Sequence, residues 1–207
     1  MAEPTDGELL TAWLAGDAAA FGGLVDRWQG PLLRYARFLP GHAEAEDVVQ
    51  ETFLRLARTP PELPEETRGH PRRQQAHLAS WLYRVTRSRA MEQLRSDSRR
   101  ERRERRTAPP EAARGGQESV EAFDTRRAVV RGLERLPDAQ REVLVLRLLG
   151  ERTHREIAEI TGRKLGTVAW LVHEGLAALG RSLTPVLEPD AASRAVRLAR
   201  RAEGTSG

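Results

Sequence analysis

From Ser80 to Arg106 the chain runs without a Pro or a Gly, S-W-L-Y-R-V-T-R-S-R-A-M-E-Q-L-R-S-D-S-R-R-E-R-R-E-R-R, so nothing in the stretch interrupts a helix. Leu78, Leu82 and Val85 give it an apolar stripe for about two turns, and Ala90, Met91 and Leu94 fall on a different side. Beyond Asp97 nothing apolar remains, so the far end must be solvated or bound to an anion. Ten Arg stand against four acids, Glu92, Asp97, Glu101 and Glu104. Arg offers a planar fork of donors that fits phosphate, and the rings of Trp81 and Tyr83 offer faces for an unstacked base. Composition alone fits a helix that touches nucleic acid and an Arg-rich solvated helix equally well.

The chain has 207 residues, 39% of them hydrophobic, enough for one large or two small domains. It has no Cys, which excludes a disulfide framework and a thiolate metal site. No apolar run approaches membrane-spanning length, and the opening M-A-E-P-T-D-G-E is acidic, unlike a signal peptide. A cytoplasmic protein without membrane insertion is expected. Lys164 is the sole lysine, a bias that suits phosphate contact and equally a GC-rich genome. Charge is segregated along the chain: −4 over residues 1–79, +6 over 80–106, −3 over 107–125 and +4 over 126–183. That pattern points to two partners, one basic or protein-like and one polyanionic.

Helical spacing predicts a short helix from Asp6 to Gly16 and another from Ala18 to Trp28, with a break at Gly30-Pro31 and a further helix from Leu32 to Leu39. Glu44 to Arg58 follows, with Val49, Phe53, Leu56 and Ala57 as one stripe and Asp47, Gln50, Glu51 and Arg55 on other faces. An ordinary surface helix with a solvated acidic face would read the same way. Thr59 to Gln75, with four Pro, reads as a loop. Thr107 to Gln117 reads as a flexible linker.

The second module opens with a helix carrying Phe123, Val129, Val130 and Leu133. Asp138 is placed to cap the next, which stops at Gly150. Thr153-His154-Arg155-Glu156 reads as a capping box opening a short helix closed by Gly162. A third helix puts Leu165, Val168, Val172, Leu176, Leu179 and Leu183 on one face, with Thr167, Trp170, Leu171, Glu174, Ala178 and Arg181 opposite. A capped short helix, a Gly turn and a longer amphipathic helix make a helix-turn-helix. In the tail, Asp190 is placed to cap a helix over 191–202 bearing Arg194, Arg197, Arg200 and Arg201.

Two blocks carry a resemblance. Glu46-Asp47-Val48-Val49-Gln50-Glu51-Thr52-Phe53-Leu54 resembles the polymerase-binding segment, and Ser80-Trp81-Leu82-Tyr83-Arg84-Val85 the start of the promoter-melting helix, of the extracytoplasmic-function sigma factors in the sigma-70 family. Leu136-Pro137 through Glu142, Glu156-Ile157-Ala158-Glu159 and Gly166-Thr167-Val168 resemble that family's helix-turn-helix domain. The resemblance covers residues 6–183. It implies an all-α fold of two small helical domains joined by a flexible linker, the second a helix-turn-helix: a polymerase-docking and melting domain over 6–106, a linker over 107–120, a helix-turn-helix domain over 121–183 and an Arg-rich tail over 184–207. It implies core RNA polymerase and promoter DNA as partners, an anti-sigma protein as a further candidate, no cofactor and no catalysis. Asp47, Gln50 and Glu51 would dock on polymerase. Trp81, Arg84, Arg87 and Arg89 would hold the opened minus-ten element, although Trp81 at its helix start also suits core. Arg163, Lys164, Thr167, Trp170 and His173 would lie at the minus-thirty-five element.

The chain departs from the family pattern after Gly166-Thr167-Val168. Where the family continues K-S-R-L-x-R-A, this chain has Ala169, Leu171 and Glu174 in place of the basic residues. A face holding Trp170 and Leu171 suits a protein contact, and reading DNA through Arg163, Lys164 and the helix N-terminus is the alternative. A helix-turn-helix regulator that never enters polymerase is the rival function, and the E-D-V-V-Q-E-T-F block argues against it. Five His (His42, His70, His77, His154 and His173) show no pair at helical ligand spacing, and there is no nucleophile elbow or phosphate-binding Gly loop.

Overall fold

The computed structural model describes residues 3–40, 44–104 and 124–187. Eight α-helices run through them: α1 (Asp6–Leu14), α2 (Ala18–Ala36), α3 (Ala45–Arg58), α4 (Pro71–Glu104), α5 (Asp124–Glu134), α6 (Asp138–Leu148), α7 (His154–Thr161) and α8 (Leu165–Leu187). No strand occurs among the described residues. Phe123, the linker and the Arg-bearing tail helix lie outside the described residues. The fold is all-α, in two helical domains, the first built from α1–α4 and the second from α5–α8.

Local sequence starts several of these helices. Thr5 caps α1 in a reciprocal box with Glu8, a feature that the hydrophobic spacing alone does not announce. Asp17 caps α2 by accepting from the Ala19 amide at 2.9 Å. Thr153 and Glu156 form the expected box on α7, and Gly162 closes that helix in the left-handed region at φ 69°. Asp138 does not cap α6: Pro137 holds the cap position, and Asp138 lies inside the first turn with its carboxylate on Arg141.

Two Pro that read as breaks are absorbed into helices. Pro31 lies inside α2, which runs unbroken from Ala18 to Ala36. Leu24, Trp28, Leu32 and Tyr35 form a single buried row across it. Each large apolar side chain gains about 1.5–3 kcal/mol on full burial, so the row outweighs the ~3 kcal/mol that an interior Pro costs. Pro71 occupies the first position of α4, where its missing amide has no intrahelical partner to lose. The helix therefore starts nine residues before Ser80. At 34 residues and 1.5 Å rise it is about 50 Å long.

The first domain packs α3 and the front of α4 against α1 and α2. Ala57 is exposed, while Val48 and Thr52 are buried, so the inner row of α3 is shifted from the expected stripe. The Thr52 and Thr86 hydroxyls meet at 3.1 Å, also within reach of the Val48 and Leu82 carbonyls, joining α3 to α4. In the second domain α8 packs on α5, α6 and α7. Its buried arc holds Val168, Leu171, Val172, Gly175 and Leu179. Leu165 and Leu176 are 51% and 45% exposed, and Leu171 is buried at 6%, the reverse of the expected faces. The cause is Gly175: a Cβ there would lie 3.0 Å from Leu144 Cδ1, so α6 approaches closest at a residue that carries no apolar signal. At about 100° per residue this rotates the core side towards Leu171 and leaves Leu165 and Leu176 on the rim.

Pro31→Ala restores a donor to the middle of α2 and should stabilise the chain by about 1–3 kcal/mol. A rise in melting temperature of about 2–4 °C per kcal/mol is expected by circular dichroism. An unchanged or lower value would mean that Pro31 is required by the packing of α2.

Candidate nucleic-acid interface

On α3 the inner row is filled by Val48, Val49, Thr52, Phe53 and Leu56, which leaves Asp47, Gln50 and Glu51 on the solvent side. All three are exposed, as is Glu46 beside them. Along the same helix a cleft of about 560 Å³ opens against α2, floored by Phe21, Val25, Leu33, Val49 and Phe53 with Gln50 and Glu46 among its lining residues. Leu54 on its wall is 38% exposed. Sequence reasoning missed this apolar groove because its floor residues look like ordinary core.

The four residues assigned to α4 do not share one face. Trp81 is half-buried against the core and Arg84 is exposed. Arg87 is about 60° from Arg84 around the helix, and Arg89 about 140°. Arg89 pairs with Glu92 at 3.1 Å and lines a small cleft with Asp47 and Glu51, next to the acidic face of α3. Arg84 therefore offers its guanidinium to solvent, while Arg89 is turned towards the other candidate surface.

Arg87 is engaged across the junction with the second domain. Its Nε donates to Glu142 Oε1 of α6 at 2.6 Å. Arg163, in the turn of the helix-turn-helix, donates from Nη1 to the other carboxylate oxygen, also at 2.6 Å. The Tyr35 hydroxyl of α2 reaches Glu142 Oε1 at 3.3 Å. The Glu142 side chain is only 5% exposed, and the side chains of Arg87 and Arg163 are 28% and 23% exposed. Around this cluster Arg141 Nε donates to the Phe38 carbonyl at 3.0 Å, and the ring of Tyr83 stands edge-on to Tyr35, centroids 5.2 Å apart. Gly150 faces Tyr83 so closely that a Cβ would lie 3.1 Å from its hydroxyl and 2.8 Å from the Leu146 carbonyl. Sequence reasoning assigned Arg87 and Arg163 to two different DNA elements and did not single out Glu142 as a buried partner.

On α8 the outer face carries Gly166, Thr167, Ala169, Trp170 and His173, all exposed, with Trp170 at 58%. Lys164 is exposed just before the helix. Leu171 does not join Trp170, so the expected Trp–Leu patch is a lone Trp amid small residues. Between Leu165 and Gly180 the helix has no Arg or Lys.

The family model for sigma-70 region 2 matches residues 24–100, and the model for sigma-70 region 4 matches residues 126–179. The ECF RNA polymerase sigma factor SigM of Mycobacterium tuberculosis is 30% identical over 182 residues, 87% of this chain and 86% of SigM. The chain belongs to the ECF sigma factors of the sigma-70 family. Among its relatives, SigW of Bacillus subtilis is 26% identical, covering 81% of this chain and 91% of SigW. BldN of Streptomyces coelicolor is 29% identical over 85% of this chain, and the match spans only 65% of BldN. The fold is shared with CnrH in complex with the cytosolic domain of CnrY (TM-score 0.54, 23% identity, 86% of this chain and 96% of that one). It is also shared with the sigma factor RpoE bound to the anti-sigma factor NepR from Bartonella quintana (TM-score 0.55, 21% identity, 78% and 97%).

Burial first, and the Glu142 carboxylate second, push the Tyr35 phenol well above its usual 10.0, with Arg87 and Arg163 pulling the other way. A phenol that stays protonated in the folded chain but ionises in the unfolded one contributes stability that is present below pH 10 and lost as pH rises above it. Melting temperature should therefore fall more steeply above about pH 10 in the wild type than in Tyr35→Phe. Parallel curves from circular dichroism melts would remove Tyr35 from the set of buried phenols.

Proposed function

We infer that this sigma factor joins core RNA polymerase through α3 and holds opened promoter DNA on α4, with α7 and α8 addressed to the minus-thirty-five element. The observation that carries the reading is one small domain with two opposite chemistries. An exposed acidic row (Asp47, Gln50 and Glu51) borders an apolar groove, and the neighbouring long helix carries the Arg-rich surface. Acids beside an apolar cleft complement a basic amphipathic helix pair, which is what the clamp of the polymerase would supply. Arg and aromatic side chains on α4 complement phosphates and unstacked bases.

Promoter opening costs a few kcal/mol of unstacking per flipped base, offset by contacts to the extruded base and to phosphates. In this reading the Pro-rich segment between α3 and α4 receives such a base. Arg84 is free in solvent for a phosphate, whereas Arg87 must first leave Glu142. Lys164, Thr167, Trp170 and His173 form the outward surface of the second domain. With no Arg or Lys along most of α8, that domain alone should hold DNA weakly, its occupancy coming from tethering to a docked first domain. The division into a first domain over 6–106, a linker over 107–120, a second domain over 121–183 and a tail over 184–207 belongs to this reading. The chain acts by binding, without a reaction of its own, in the cytoplasm where polymerase works. An anti-sigma protein is a further candidate partner, suggested by the RpoE–NepR complex of the same fold.

Run-off transcription with core polymerase on genomic fragments tests the whole reading: transcripts that depend on this chain are expected. Asp47→Lys with Glu51→Lys should weaken core binding about ten-fold or more while helicity is retained. Unchanged affinity would remove α3 from the dock. Arg84→Ala, Arg87→Ala and Arg89→Ala together should reduce permanganate reactivity of the opened promoter more than they reduce core binding, and each lost single-strand phosphate contact should flatten the log–log salt slope by about 0.7. Normal opening by the triple variant would give that helix another job.

A further inference from the structure

We propose that α8 reads duplex DNA through the C5-methyl groups of thymine, with Trp170, Ala169 and Thr167 as the specificity-determining residues and Lys164 as a phosphate anchor. The proposal rests on the reading above that addresses α7 and α8 to the minus-thirty-five element, and it names the base chemistry that this surface selects.

The side chains present carry it. In the major groove a guanine is read by Arg or Lys and an adenine by Asn or Gln, each through two hydrogen bonds. The chain contains no Asn, and α8 has no Gln and no Arg or Lys between Leu165 and Gly180. Arg163, just before Lys164, donates to Glu142 within its own domain. What the first turns of α8 expose is Leu165, Gly166, Thr167, Ala169 and Trp170, with His173 next. At about 100° per residue Gly166, Trp170, His173 and Ala177 fall within about 60° of one another, opposite the buried Val168, Leu171 and Leu179. Thymine is the one base that presents a methyl group to the groove, and Ala, the Thr methyl and aromatic carbon are the contacts that match it. Glu174, one turn beyond Trp170 and half-buried, is suited to a cytosine amino group.

Shape favours DNA over a protein partner for this face. Trp170 is 58% exposed, and the exposed Leu165 and Leu176 lie about 120–140° around the helix from it, so the three do not join into one apolar patch. Its neighbours on the outward stripe are small, and a Cβ at Gly166 would meet nothing within 4 Å. A slim helix suits a major groove about 12 Å wide, because short side chains let the backbone approach the base edges. In a helix-turn-helix the N-terminal residues of the second helix meet base edges while the first helix crosses the backbone. Lys164 before α8 and Arg155 on α7 are both exposed and supply the cations for phosphates. The Lys164 carbonyl accepts from the Val168 amide at 3.0 Å, so the amides of Leu165, Gly166 and Thr167 open the helix as further donors beside Lys164.

The full chain with core polymerase is used to select from a duplex library randomised over the upstream element. The selected element should hold thymines at fixed positions. Deoxyuridine at those positions, which removes only the methyl, should weaken binding about four-fold per contacted methyl. 5-Methylcytosine paired with guanine keeps the methyl but exchanges the O4 acceptor for an amino donor, and should keep affinity within about two-fold. Trp170→Ala, at an exposed position that leaves helicity intact by circular dichroism, should bring the thymine and uracil duplexes to within about two-fold of each other. Lys164→Ala should weaken both duplexes equally and flatten the log–log salt slope by about 0.9 for one duplex phosphate. Equal affinity for thymine and uracil duplexes, an element fixed by guanines, or no fixed upstream sequence overturns the methyl reading. A Trp170→Ala variant that keeps the thymine preference but loses core binding makes Trp170 a protein contact and removes it from the reading residues. Core binding is measured separately: a full chain that does not join polymerase sinks the polymerase assignment, and the same selection and thymine-to-uracil ratio, taken with the full chain alone, still decide the base chemistry.

Discussion

Taking a carboxylate out of water costs several kcal/mol, and a fold can keep it buried only by surrounding it with donors. Glu142 is such a carboxylate at the junction, and its donors come from three other elements. Arg87 must come from the middle of α4, Arg163 from the turn between α7 and α8, and Tyr35 from the end of α2. The cluster sits where α6 meets α2 and beside the strip of α4 against which α7 lies. Nearby, a side chain at Gly150 would have no room between the Leu146 carbonyl and the Tyr83 hydroxyl, and Arg152 folds back on the Gly150 carbonyl and Glu156.

Each half has a more ordinary core. In the first domain a buried Asp6 accepts from the Trp28 indole at 3.2 Å and pairs with Arg27, tying α1 to α2. In the second, Leu144 seats against Gly175 and the capping box fixes the start of α7. These contacts lie within one domain or the other. The junction adds the packing of α4 along α7 to the charged cluster at Glu142.

That contrast bears on function. Asp47, Gln50, Glu51 and Arg84 are exposed because the inner rows of α3 and α4 are complete without them. Arg87 and Arg163 are held in by Glu142.

Local chemistry was legible in the sequence. Helical periodicity gave most of the helices, Thr153, Glu156 and Gly162 gave the short helix and its turn, and the uninterrupted Arg-rich run gave α4 from Ser80 onward. These depend on neighbours within about four residues, and a single sequence carries that information. Whatever depends on a distant partner was decided by tertiary packing. Pro31 stays inside a helix because a buried row spans it. Leu171 turns inward, and Leu165 and Leu176 outward, because α6 approaches at Gly175. Glu142 meets Arg87 across 55 positions of sequence, a pairing that no spacing rule encodes, since only the folded chain brings those charges within 2.6 Å.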